Sequence, residues 1–140
     1  MTEMNFGRQL KIAANHMVKR FDDFARQYDL TSNDLAVIDY IQHSPRQAVS
    51  QAQIEREFAI QRSTASILLK RMETKGLIRR QKMVSDGRQK LVVLTDKAAD
   101  LTAEISTYMS KEESALRAAF SPSELAIFER ILTFYRQTEE

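Results

Sequence analysis

The sequence predicts a mainly α-helical fold with one small β-hairpin, on the basis of three observations. Only three Gly and two Pro occur in 140 residues, which argues against a turn-rich sandwich or barrel. Apolar residues recur at steps of three and four over most of the chain, the spacing of amphipathic helices. One stretch carries β-branched residues on both sides of an Asp-Gly turn, as a hairpin does.

The chain begins with a long helix and a capped second helix. Helically spaced apolar residues predict an amphipathic helix over residues 5–28. Thr31 and Asp34, three residues apart, predict the N-terminal cap of the second helix. We expect that helix to end before Ser44-Pro45, because a residue that precedes proline avoids the helical conformation.

Two shorter helices follow. Ser50 and Gln53 predict a capping box for a helix that passes through Phe58. A second one is predicted from about residue 62 to residue 75, and Gly76 suits the left-handed position after a helix end. Two short helices joined by a tight turn form a helix-turn-helix.

The last elements are a hairpin and two helices. Residues 77–84 and 89–94 predict a two-stranded hairpin with a basic tip. Thr95 caps a predicted helix that carries apolar residues as far as Phe120, and Ser-Pro-Ser-Glu at 121–124 starts another. The middle of the chain is therefore predicted to be a winged helix-turn-helix, with the hairpin as the wing and helices on both sides.

The net charge of +2 hides a strong asymmetry along the chain. Residues 1–50 are neutral overall, and residues 99–140 carry a net charge of −4. Residues 51–98 hold eleven basic and five acidic side chains, a net charge of +6. A basic middle region that coincides with a helix-turn-helix indicates a polyphosphate partner, of which nucleic acid is the commonest.

Several classes of function are disfavoured by composition. The absence of Cys removes disulfides and thiolate metal sites, and two histidines, His16 and His43, leave little for other metal sites. Neither a nucleophile–base pair nor a phosphate-binding glycine loop occurs, so we expect no enzyme, cofactor or metal. No apolar run approaches the roughly 18 residues of a membrane span, nor is there a signal-peptide core, so we expect a cytoplasmic protein without a membrane partner.

The helix predicted over residues 62–75 has two different faces. At 100° per residue, the apolar face contains Ala65, Leu68, Leu69, Met72 and Gly76. The opposite face is small and polar apart from Ile67 and Lys70, which suits close approach to a DNA major groove. For Ser63 and Thr64 an alternative stays open, because hydroxyl residues are favoured at helix starts in any case.

The hairpin tip predicts a second contact with DNA. Arg88 projects from the turn, between Lys82 and Lys90 on the two strands, and suits a narrow minor groove. Asp86 can hold Arg88 in one rotamer, serve the turn itself, or do both.

Residues 50–80 and 85–98 closely resemble the MarR family of winged helix-turn-helix transcriptional regulators, and the resemblance is strong over residues 30–98. The family wing pattern D-x-R…L-T-x-x-G is matched by Asp86, Arg88, Leu94 and Thr95. Ala98 replaces the final Gly of the pattern. The R-S-T opening of the recognition helix is matched by Arg62, Ser63 and Thr64. The chain departs from the family at Gln61, where a Ser cap is usual, and at Ile67, where a polar residue is common. The resemblance implies a homodimer on palindromic DNA, usually a repressor that a small ligand releases.

These observations predict one domain over residues 1–140, with the winged helix-turn-helix at 30–98 and helical dimerisation regions at 1–29 and 99–140. Apolar stripes in both terminal regions exceed what a small winged domain needs for its own core. The predicted contacts to double-stranded DNA are Arg62, Ser63, Thr64, Ser66, Ile67, Lys70, Lys82, Asp86, Arg88 and Lys90. Candidate liners of an effector site are His16, Phe21 and Tyr40; for His16, which lies beside the apolar stripe, an ordinary surface histidine is the alternative. The alternative is a winged-helix module that binds proteins and not DNA, and such a module would have a neutral or acidic recognition face.

Overall fold

Helices dominate the computed structural model, which describes residues 3–82 and 90–137. In that part of the chain, seven α-helices and three strands form. In chain order they are α1 (Phe6–Arg26), α2 (Ser32–Gln42), β1 (Ala48–Ser50), α3 (Gln51–Phe58), α4 (Arg62–Thr74), β2 (Ile78–Lys82), β3 (Lys90–Leu94), α5 (Asp96–Ala99), α6 (Thr102–Ala119) and α7 (Pro122–Arg136). The prediction of a mainly α fold with a small β wing is confirmed. The chain divides into two compact units, the first ending at Thr102 and the second beginning at Ala103.

The predicted helix caps are present. In each capping box a side-chain oxygen accepts a hydrogen bond from the backbone N–H three residues on, and the side chain of that residue accepts one in return. These boxes start α2, α3 and α7 and pair Thr31 with Asp34, Ser50 with Gln53, and Ser121 with Glu124. Short-range polar bonds therefore determine where three of the helices begin.

The sheet has one more strand than the sequence predicts. β3 lies between β1 and β2 and pairs with both in antiparallel orientation. Val49 in β1 is fully buried and lies opposite Val92. The two-stranded hairpin was an incomplete prediction, because a three-residue strand is too short to show an alternating pattern.

The prediction of a single helix after Thr95 is wrong in one respect, because the segment forms two helices, α5 and α6. At the break, the Leu101 N–H donates to the Ala98 carbonyl at 2.9 Å, a bond that spans three residues. The Thr102 hydroxyl likewise donates to the Ala99 carbonyl at 2.7 Å. The Asp100 N–H still donates to the Asp96 carbonyl four residues earlier, so the regular ladder is interrupted at Leu101.

The core of the first unit is formed by α2, α3, α4 and the sheet. Its largest fully buried side chains include Leu35, Ile38, Ile41, Ile54, Leu69, Met72, Leu77 and Ile78. Gly76 follows α4 with a φ of +76°, the left-handed conformation that the sequence predicts there. Within the described residues, no helix combines the length and the apolar content that crossing a bilayer requires.

A buried carboxylate joins α2 to α4. Asp34 is 0% exposed and is the buried charged residue of this core. Its Oδ1 accepts a hydrogen bond from Arg71 Nη2 at 3.2 Å, and its Oδ2 accepts one from Lys75 Nζ at 3.2 Å. Oδ2 also accepts the Thr31 backbone N–H at 3.0 Å. One side chain therefore caps the start of α2 and binds both cations near the end of α4.

We expect Asp34→Ala to lower the free energy of unfolding by about 3 kcal/mol, because several hydrogen bonds to a charged group disappear together. Partial exposure of Arg71 and Lys75 keeps the loss below that of a fully buried pair. Urea denaturation measures the change.

Asp23→Ala is the matched control. Asp23 pairs with Arg26 at 3.0 Å on the surface of α1, so its removal should cost less than about 1 kcal/mol. Equal losses for Asp34→Ala and Asp23→Ala would contradict the role given to the buried carboxylate.

Candidate nucleic-acid interface

The recognition helix α4 packs one face into the core and exposes the other. Ala65, Leu68, Leu69 and Met72 are buried, as the helical spacing predicts, whereas Gly76 lies beyond the end of α4 and is half-buried. The exposed residues are Arg62 at the first position of the helix and, on the other side, Ser63, Thr64, Ser66, Ile67, Lys70, Arg71 and Thr74. Ile67 is 72% exposed, although an isolated isoleucine gains nothing from contact with water. The predicted division of faces is confirmed, and contact of this face with DNA stays a prediction.

The start of α4 lacks a side-chain cap. Gln61 occupies the N-cap position, and its side chain accepts no hydrogen bond from the first turn. The sequence predicts this weaker cap. The first-turn amides of α4 are therefore not satisfied by Gln61, and they lie beside Arg62 at the positive end of the helix dipole.

The two wing lysines stand directly opposite each other. The register of β2 and β3 pairs Lys82 with Lys90, and both side chains are exposed. Like charges in directly opposed positions of an antiparallel pair are destabilising. An anion that lies between or across the two ammonium groups would relieve this repulsion, so the pairing favours a polyanionic partner.

Alternation along the wing strands places these lysines on the same side as the core. Ile78, Arg80 and Lys82 alternate along β2 and share one face, and Val92 opposite Arg80 is buried. This face is therefore apolar near the body of the unit and cationic farther out. Arg80 Nε lies 3.5 Å from Glu73 Oε1 on α4, an ion pair that holds the guanidinium beside the recognition helix.

The recognition helix, the start of α3 and the wing line one continuous depression. Two adjoining concavities share Ser66, Arg80 and Lys90. We call the surface that they form the basic groove, because its charged lining holds five cations against two carboxylates. The cations are Arg62, Lys70, Arg71, Arg80 and Lys90, the carboxylates are Glu55 and Glu73, and the neutral polar lining includes Gln51 and Ser66. Of the predicted contact residues, Arg62, Ser66, Ile67, Lys70 and Lys90 line these concavities.

Gln51 and Arg80 line the basic groove but were not predicted from the sequence. Arg80 was detectable in principle, because alternation from the apolar Ile78 puts it on the inner face of β2. Gln51 carried no such signal, since the direction of its side chain depends on how α3 packs against α4. Asp86 and Arg88, predicted at the wing tip, lie outside the described residues.

The candidate effector residues lie on two helices. His16 is exposed on α1, and Phe21 is half-buried on the same helix. Tyr40 is half-buried on α2 and packs edge-on against Phe58, with the ring centroids 5.6 Å apart. Burial raises the pKa of the neighbouring Asp39 carboxyl, and the His43 imidazole partly offsets this. The effector site stays a prediction.

Comparison with known proteins identifies relatives along the whole chain. A sequence profile described as the MarR family matches residues 28–89. The transcription regulator MarR from Oenococcus oeni PSU-1 is 40% identical and superimposes with a TM-score of 0.87, covering 96% of this chain and 100% of that one.

Two more distant structures share the fold. The S. aureus MepR–DNA complex is 22% identical, with a TM-score of 0.84 over 95% of this chain and 96% of that chain. A mutant MarR from E. coli complexed with operator DNA is 18% identical, with a TM-score of 0.76 over 92% of this chain and 91% of that chain.

We expect Ile67→Ala to leave the melting temperature nearly unchanged, because the side chain is already exposed. The same change should reduce the preference for one or two A·T pairs by about 1–3 kcal/mol, through loss of contact with a thymine methyl group. Calorimetry and affinity measurements on single-pair variants of the target DNA test both statements.

Leu69→Ala is the control on the opposite face of α4. Leu69 is 0% exposed, so its truncation should cost about 2–5 kcal/mol of stability. A similar loss for Ile67→Ala, or an unaltered base preference at every position, would show that Ile67 does not contact bases.

Proposed function

This chain belongs to the MarR family of DNA-binding transcription regulators, and we propose that it acts as a homodimeric repressor on a palindromic operator. The observation that carries the DNA-binding part is the basic groove. Its α4 wall is polar apart from the exposed Ile67, and its wing wall holds Lys90, which stands directly opposite the exposed Lys82 in the strand register.

The two walls differ in shape and charge, and we assign them different contacts with DNA. A helix with short polar side chains enters a major groove closely enough to reach base edges. Lysines on a projecting strand pair suit the phosphate backbone, which sets register and affinity without reading sequence. Solved complexes of two proteins with the same fold, S. aureus MepR and E. coli MarR, contain DNA, and this supports the assignment.

The proposal of a homodimer rests on the terminal helices. In the single chain, α7 exposes Ile127, Phe128, Ile131, Leu132, Phe134 and Tyr135, and α1 exposes Phe6, Ile12, Met17 and Val18. No residue of α7 is buried. A helix with so wide an apolar face is stable in water when a partner surface covers it, and a second copy of the chain supplies one.

The palindrome follows from the dimer. A two-fold axis presents two copies of α4 in opposite directions, so the preferred DNA contains two inverted half-sites about one helical turn apart. Occupation of such a site across a promoter excludes the polymerase, which is why we propose repression.

We also propose that a small molecule releases the protein from DNA. Such an effector acts by binding more tightly to an arrangement of the dimer that does not fit the operator. His16, Phe21 and Tyr40 are the candidate liners.

The test of DNA binding starts from a pool of random duplexes. We expect the full chain to select a sequence with inverted repeats, with an affinity that falls steeply as salt rises because phosphate contacts release counterions. Fluorescence anisotropy on the selected duplex and on a scrambled one measures the specificity. Equal, weak binding to both would refute the proposal and favour the module that binds only proteins.

The dimer is tested on α7. We expect Ile131→Glu to yield monomers and to weaken operator binding at least about 10-fold, because a carboxylate in an apolar interface leaves a charge without a partner. Sedimentation equilibrium gives the oligomeric state.

Ala126→Glu is the matched control, since residue 126 lies about 140° around the helix from residue 131. It should leave the dimer intact. A dimer that survives Ile131→Glu with unchanged affinity places the interface elsewhere.

A further inference from the structure

Gln51 links the start of α3 to the recognition helix. Its side-chain Nε2 donates a hydrogen bond of 3.1 Å to the hydroxyl oxygen of Ser66, fifteen residues along the chain. Gln51 is half-buried at the first position of α3, and Ser66 is exposed on the outer face of α4. Both line the basic groove, next to Arg62, Arg80 and Lys90.

The Ser66 hydroxyl does not donate back to the backbone of its own helix. Hydroxyl groups inside helices can donate to the carbonyl four residues earlier, as Thr74 does to Lys70 at 3.0 Å and Thr133 does to Glu129 at 2.8 Å. Within the described residues, the Ser66 hydroxyl accepts from Gln51 and donates to no protein group. Its proton is therefore available to a molecule in the groove.

The fold does not depend on this bond. α3 and α4 are held together through fully buried side chains, among them Ile54 and Leu69. A hydrogen bond between two partly exposed neutral groups adds little to stability, because water replaces it at small cost. The arrangement is better explained by what it does to the exposed hydroxyl.

We propose that Gln51 is a positioning residue for DNA recognition, which orients Ser66 as a hydrogen-bond donor toward a base edge. The inference rests on the proposed function and deepens it. With one of its two oxygen lone pairs occupied by Gln51 and its proton free, Ser66 favours bases that present an acceptor in the major groove, namely guanine O6 or N7, adenine N7 or thymine O4. The cytosine amino group, itself a donor, has only the remaining lone pair to use and is disfavoured at that position.

The experiment compares base preferences of four proteins: the unaltered chain, Gln51→Met, Ser66→Ala and the double variant. Methionine keeps the length of glutamine and removes the amide donor. Affinities are measured on the selected operator and on every single-pair substitution of it. Gln47→Met, in the exposed turn before β1, is the control for the same chemical change outside the groove.

We expect Gln51→Met and Ser66→Ala to weaken preference at the same base pair, each by about 3- to 10-fold, the equivalent of one neutral hydrogen bond. The double variant should be no weaker at that pair than Ser66→Ala alone, because the two side chains act through one contact. Other base pairs, the salt dependence and the melting temperature should stay close to those of the unaltered chain, as they should for Gln47→Met throughout.

Additive losses in the double variant, or a Gln51→Met profile that is unchanged or altered at another base pair, overturn the inference while leaving the proposed function intact. An unaltered chain that shows no sequence preference refutes both. The bond itself is measured without DNA from the side-chain amide resonances of Gln51. They should shift on Ser66→Ala, and unshifted resonances count against the proposal.

Discussion

The orientation of the recognition helix depends on one buried carboxylate. Asp34 lies at the start of α2, yet it binds two cations, Arg71 in the last turn of α4 and Lys75 directly after that helix. A charge removed from water must be paired and hydrogen-bonded, or its burial is unfavourable. Any rotation of α4 about its axis would break these bonds. The buried face of α4 is thereby held toward the core, and its polar face is left toward solvent.

The same carboxylate connects α4 with the first helix. Asp34 belongs to the capping box of α2 and accepts the backbone N–H of Thr31. The backbone N–H of the following residue, Ser32, donates to Asp22 on α1 at 2.7 Å. At the end of α4, Lys97 Nζ from α5 donates a hydrogen bond to the backbone carbonyl of Lys75 at 2.8 Å. A polar chain therefore runs from α1 through α2 and α4 to α5. Such a network has few alternative arrangements that satisfy every member.

The wing shows a different compromise between stability and function. Strand alternation gives β2 and β3 a common face that changes from apolar, at Ile78, to cationic, at Lys82 and Lys90. The apolar end is stabilised by burial, whereas the opposed lysines repel each other. The mutual repulsion lowers the stability of the free protein, and a polyanion bound across the two ammonium groups would relieve it.

The sequence by itself determined the features that arise from short-range physics. Helix starts at Thr31, Ser50 and Ser121 depend on bonds across three residues, and the outward direction of Ile67 depends only on helical periodicity. The tertiary structure alone decided the contacts between distant segments. β1 forms only because β3 lies beside it, the break at Leu101 is not encoded in the apolar pattern, and Asp34 and Gln51 reach partners 15 to 41 residues away. Local bonds need only neighbouring residues, while these partners come within reach only after the core has packed.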